Sequence, residues 1–221
     1  MKHLKAKAIG AAAIGLLAYA AFFPYPSNPA REDITRIQGA KTIEVNERSL
    51  SWKGLFASKH YRIFADDRYV GDVTGKFITS FGDRFEFRTS DGTLLEYEKE
   101  SKRVFRLSLN RHADCYDAQD SLVGSIGEEK IKDFLSVDYI LHIYDAHDVP
   151  VGVSEKFTNS AIIGSHALFG NTGNKEYAIN RNFVLTPGDT YDIAVVDPNS
   201  EIPRTRAVLL TCIEDAIGDA H

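Results

Sequence analysis

Residues 81–98 read FGDRFEFRTSDGTLLEYE. Phe85 and Phe87 share one side of an alternating run, Leu95 and Tyr97 share one side of a second, and Ser90-Asp91-Gly92 stands between them. Period-two alternation on both sides of a short turn-forming segment is the signature of a β-hairpin. The arrangement recurs along the chain. Tyr61 to Phe64 and Tyr69 to Val73 flank Ala65-Asp66-Asp67-Arg68, and Cys115-Tyr116 and Leu122 to Ile126 flank Asp117 to Asp120. Val137 to Tyr144 and Val151 to Phe157 flank Asp145 to Pro150, while Thr42 to Val45, Val104 to Leu109, Tyr177 to Val184 and Tyr191 to Val196 add strand-like runs. Roughly a dozen short strands with closely spaced turns predict a mainly β protein, a sandwich or barrel rather than a parallel α/β sheet. The repetition is scaffold, because a lone hairpin buries only one face and does not stand alone in water.

The C-terminus departs from this pattern. Arg204 to Ala220 is helix-compatible, and Ala207, Val208, Leu209, Leu210, Cys212, Ile213, Ala216 and Ile217 cover most of its circumference. A helix apolar nearly all round belongs in a core or a membrane. With only about fifteen residues, and with Glu214, Asp215 and Asp219 in its later turns, it is short and charged for a span. The expectation is that it fills the inside of the β structure.

Length and composition suit one globular unit: 221 residues with 43% hydrophobic content are enough for one sizeable core. Residues 1–30 stand apart as an N-terminal segment with a Pro-rich linker, and 31–221 form the domain. Lys2, Lys5 and Lys7 precede the uncharged run Ala8 to Phe23, after which Pro24, Pro26 and Pro29 break any helix. This reads either as a single-pass anchor, with Tyr19, Phe22, Phe23 and Tyr25 at the interface, or as a cleaved signal with Ala18-Tyr19-Ala20 at its cleavage site. The first places the domain at a membrane and outside the cytoplasm; the second makes it secreted or periplasmic. The net charge is −5, and setting aside the three leader lysines leaves the body at −8. So acidic a body repels phosphate backbones and argues against nucleic acid as a partner.

Chemistry-bearing motifs are sparse. Cys115 and Cys212 are the only cysteines; they are either small apolar core residues or, in an oxidising compartment, a disulfide, a choice that spacing leaves open. His142, Asp145, His147 and Asp148 lie close in sequence, but His142 falls on a strand and the others in its turn, so no metal site is expected there. His112 and Asp114 adjoin Cys115, which reads as an inward strand residue with no base placed by a motif. No phosphate loop, nucleophile elbow or cofactor motif is present, and no cofactor or metal is expected. Ala161 to Gly170 is apolar and reads as a membrane-dipping loop or lid, or as an ordinary strand or short helix of the core. The nearest approach to a basic face is Lys99, Lys102, Arg103, Arg106 and Arg111, candidate contacts for a lipid phosphate. The alternative is a solvated strand face on which Glu96, Glu98 and Glu100 pair with those cations.

Gly75-Lys76-Phe77, Phe81-Gly82-Asp83-Arg84-Phe85-Glu86-Phe87 and Asp91-Gly92 form one recurring pattern. With it go hairpins of the form aromatic-x-Ile, Asp, Val-Gly-x-Val, and Tyr191-Asp192-Ile193-Ala194-Val195-Val196-Asp197 ahead of the apolar terminal helix. On these features the chain from Leu50 to its end resembles the tubby C-terminal-like superfamily, in its LURP-one-related and scramblase-like branch. The resemblance implies a closed antiparallel barrel of about twelve strands around a buried C-terminal hydrophobic helix. That fits the residue-level reading, since closure removes exposed strand edges and gives the helix a dry place to sit. It also implies an association with membrane phospholipids; together with the N-terminal apolar segment, a departure from many members, this leads to the expectation of a non-enzymatic, membrane-anchored module whose partner is a membrane phospholipid or a protein. The competing expectation is a hydrolase-type enzyme with a site at the barrel mouth near His142 and His147.

Overall fold

Four of the hairpin turns are built to one plan. In the computed structural model, which describes residues 29–48, 58–76, 84–100, 111–132, 137–158, 164–182 and 189–219, the Thr89 N–H donates to the Thr93 carbonyl at 2.9 Å and the Gly92 N–H to the Thr89 carbonyl at 2.8 Å. The same pair of bonds closes 117–121, 145–149 and 170–174. In each turn the fourth residue is left-handed: Gly92 (φ 86), Asp120 (φ 61), Asp148 (φ 61) and Gly173 (φ 79). This is a type I turn followed by a bulge residue with positive φ, which selects Gly and Asp. The carboxylates of Asp117 and Asp145 accept N–H groups within their own turns.

Among the described residues, thirteen strands result. They are β1 (Thr42–Glu47), β2 (Ser58–Ala65), β3 (Arg68–Lys76), β4 (Phe85–Thr89), β5 (Leu94–Glu100), β6 (Arg111–Asp117) and β7 (Leu122–Lys132), then β8 (Val137–Asp145), β9 (Pro150–Ser154), β10 (Phe157–Thr158), β11 (Ser165–Gly170), β12 (Lys175–Asn182) and β13 (Thr190–Val195). Consecutive strands from β1 to β9 pair antiparallel, β1 also pairs with β13, β13 with β12, β12 with β11 and β11 with β9. The ring of twelve therefore closes, and two-residue β10 adds to β8 alone. The apolar segment around Ala161 to Gly170 resolves as strand β11 over its described part; the Val104 to Leu109 run lies outside the described residues.

Because the strands alternate in direction, all five tight turns fall at one end of the barrel, the turn end, and the β1–β2, β3–β4, β5–β6 and β7–β8 connections at the opposite, far end. Helix α1 (Pro29–Gly39) packs at the turn end, where Asp33 accepts from the Ser90 N–H at 3.1 Å and the Ser90 hydroxyl at 2.5 Å. Its buried face, Ala30, Asp33 and Ile37, has helical spacing, with Pro29 at the first position and Gly39 at the end. Helix α2 (Arg204–Asp219) runs inside, and every residue from Arg206 to Asp215 is buried. Its side chains and carbonyls meet β2, β5, β11 and β13, strands on all sides of the ring. The sequence-based expectation of a barrel around a buried terminal helix thus describes the fold.

The helix needs clearance at one wall position. A Cβ built on Gly124 of β7 (φ 154) would lie 2.4 Å from the Tyr144 carbonyl oxygen and 2.5 Å from the Arg206 guanidinium. Gly124→Ala is expected to cost about 2–4 kcal/mol from overpacking and backbone strain together, read as a lower urea midpoint at unchanged m-value.

Candidate functional site

Strand β5 inverts the expected alternation. Phe87 faces Glu96 and Phe85 faces Glu98 across the β4–β5 ladder, and directly opposed residues share a face. Since Phe85 and Phe87 belong to the core, Glu96 and Glu98 point into the barrel, not out to pair surface cations. Tyr97 is turned outward, stacked on Tyr116 at 5.2 Å and covered by the Arg84 guanidinium at 3.9 Å. The polar interior exists because α2 supplies a cation to meet it: Arg206 Nε donates to Glu96 Oε1 at 2.6 Å, and the Thr205 hydroxyl donates to Glu96 Oε2 at 2.7 Å.

Glu98 has no such partner. Its Oε1 receives only the Cys115 thiol, at 3.8 Å, and its Oε2 has no hydrogen-bond donor among the described residues. Burial pushes its carboxyl up to about 8, Arg206 opposes that rise, and Glu96 adds to it. Glu98 is therefore largely protonated at neutral pH. Cys115 and Cys212 are both buried free thiols, pushed up by burial and nearby carboxylates, so neither is an activated nucleophile.

A second polar group closes the far end. Asp215 of α2, buried, accepts from Tyr61 at 2.7 Å, Tyr191 at 2.5 Å and Lys59 at 2.9 Å. Lys59 also reaches Glu47 at 2.6 Å, and Arg181 pairs with Asp189 beside it. Carboxylate oxygens of Glu47, Asp189 and Asp215 lie within 4.8 Å of one another, a spacing that suits a cation. The chain provides its own, the Lys59 ammonium, so the group works as a clamp on the helix. Both tyrosines are held well above their usual range by burial and by Asp215.

The sequence-predicted cations are only partly visible. Lys99 is exposed near the end of β5, opposite Asp114 in the β5–β6 ladder. Lys102, Arg103 and Arg106 lie outside the described residues. Arg111 opens β6, opposite Glu128 in the ladder. What the fold fixes is that the segment carrying them joins two strands at the far end. His142 sits on β8 with its Nε2 2.9 Å from Glu129, while exposed His147 lies 3.8 Å from Asp145 inside the turn, so the turn pair forms without His142. His112 lies 3.9 Å from Asp114 and Cys115 faces the interior beside Glu98, so no nucleophile–base pair forms among them. The residues that sequence reasoning missed are Lys59, Glu96, Glu98, Arg206 and Asp215. Their one advance signal is charge inside otherwise apolar runs. No family model, curated protein or solved structure matches the chain.

Proposed function

We propose that this chain is a non-enzymatic, tubby-like barrel, tethered to a membrane by its N-terminal apolar segment, that holds its far end out to a protein partner. The observation that carries the reading is the position of α1. It starts at Pro29 and packs at the turn end, only five residues after the apolar run that ends at Phe23. Five residues reach at most about 17 Å, so the tether draws the turn end toward the bilayer and leaves the far end facing away. Two features support a binding role over a catalytic one. The interior is occupied by α2 and its partners, and the buried thiols are unactivated.

Charge disfavours the turn end as a lipid contact. Exposed Glu32, Asp66, Asp67, Asp91, Asp120, Asp148 and Glu201 stand there against exposed Arg31, Lys41, Arg68 and Lys175, a balance that anionic headgroups oppose. A second reading, a phospholipid-binding far end, is favoured by the cation-rich stretch from Lys99 to Arg111. No helix among the described residues is long and apolar enough to cross a membrane, and the tether assigned to residues 8–23 lies outside them.

A photocrosslinking amino acid at Lys99, compared with one at Asn171 in a turn, tests the reading in native membranes. A discrete protein adduct from position 99 and none from 171 is the expected result. Lipid adducts from 99, with flotation on anionic vesicles that weakens in R103Q/R106Q, would replace it with the second reading. A hydrolytic activity lost on His142→Ala would remove both.

A further inference from the structure

The barrel wall has a seam at its far end. β9 pairs with β11 at Leu168↔Ser154, Phe169↔Val153 and Gly170↔Gly152, and the Glu155 N–H extends this to the Ala167 carbonyl at 2.7 Å. The chain then turns away, and Phe157 and Thr158 pair with Tyr139 and Asp138 of β8. The Ser154 hydroxyl marks the parting, accepting the Leu141 N–H at 2.8 Å in place of a ladder carbonyl. Beyond it, the described ladder partners of Ser165 and His166 are Asn180 and Ile179, on the β12 side alone. Backbone pairing therefore does not hold this stretch of β11 to the strand that precedes it.

A side-chain contact holds it to the helix instead. His166 Nε2 lies 2.5 Å from Glu214 Oε2 of α2, with side chains 14% and 6% exposed. The contact is an ion pair by distance, and neither Glu214 oxygen receives a hydrogen bond among the described residues, so a protonated His166 is the group that neutralises this buried carboxylate. The other groups facing the imidazole are Glu155, from the β9–β10 connection, and Ile179, directly opposite on β12. Lys156, next along that connection, is engaged with Asp138 of β8.

We infer that the His166–Glu214 pair is a proton-operated latch: protonated His166 ties to the plug helix the part of β11 whose described ladder is with β12 alone, and loss of that proton frees the seam. Burial disfavours the imidazolium, but Glu214 and then Glu155 favour it more, and the net shift is upward from the ordinary value. A histidine raised on folding contributes stability that is fully present below its unfolded pKa of about 6.5 and is lost as pH rises through the folded value. The latch is thus closed below the unfolded histidine value and opens as pH rises through the higher folded one. It acts on the wall, whatever binds the far end.

The test is an NMR titration of His166 in the full chain, referred to the same chain unfolded in urea, combined with hydrogen exchange at Ser165 to Leu168. His166 should titrate above its unfolded value, and Glu214→Gln should bring it below. Seam amides should open by up to about tenfold per pH unit above the His166 midpoint, after correction for intrinsic exchange. His166→Lys, a permanent cation over this range, should keep the seam closed throughout, and His166→Gln should leave it open throughout. The inference is overturned if His166 titrates at or below its unfolded value, if Glu214→Gln leaves the midpoint in place, or if the Lys and Gln variants exchange alike. Should Glu214→Gln fail to fold, the Lys and Gln comparison decides alone.

Discussion

Raising the pH from about 5 to about 9 is expected to lower the stability of the chain by on the order of 3–5 kcal/mol, and Glu98→Gln should remove most of that slope. The direction follows from proton uptake. Glu98 carries an ordinary carboxyl in the unfolded chain but titrates at about 8 when folded, because burial dominates and the one nearby cation, Arg206, already serves Glu96. The folded state binds the extra proton throughout that interval. The contribution is therefore complete below the unfolded pKa of about 4.5 and disappears as pH climbs through the folded value. Glutamine keeps the shape and stays neutral, so the variant should match the parent in acid and exceed it in base. Chemical denaturation at several pH values checks this. An unchanged slope in the variant would mean that Glu98 is solvated or paired in solution. Any slope left in Glu98→Gln should begin only above the unfolded histidine value of about 6.5, because folding raises His166 from it.

Arg206→Met should be more damaging still at neutral pH, by about 3–5 kcal/mol, because it strands Glu96 inside the barrel without a cation. The cost belongs to the orphaned charge, not to the lost arginine. Glu96→Gln in the same chain should therefore recover much of it, and the two substitutions should be far from additive. Urea midpoints of the four chains in the cycle supply the coupling. Additive losses would mean that the 2.6 Å contact between them contributes little in solution.

The parts of this fold that were legible in the sequence are those whose causes are local. Ser90-Asp91-Gly92 and Asp117 to Asp120 announce their turns because positive φ selects Gly and Asp wherever the hairpin lies. The apolar circumference of residues 207–213 likewise announces a helix that needs burying. Helix α1 was harder to see, since Ile34 and Ile37 fall in a short segment that reads equally as an approach to a strand. The facing of β5 was misleading for a different reason. Leu95 and Tyr97 look like the inward pair, yet Glu96 and Glu98 take that side because Arg206, 110 residues further on, arrives to meet Glu96. The far-end clamp assembles Glu47, Lys59, Asp189 and Asp215 from widely separated segments, and no local pattern signals that convergence. The candidate basic face is legible only as composition, because most of it falls between β5 and β6.

The stability effects above presuppose that α2 cannot leave the ring without global unfolding, even where the far-end seam loosens. Native-state hydrogen exchange at Val208 to Ile213 measures this directly. The account predicts that these amides exchange only through global unfolding, with an opening free energy equal to the value from denaturant titration. Exchange well below that value, in a chain whose strand amides remain protected, would mean that the helix leaves an intact barrel, and would contradict it.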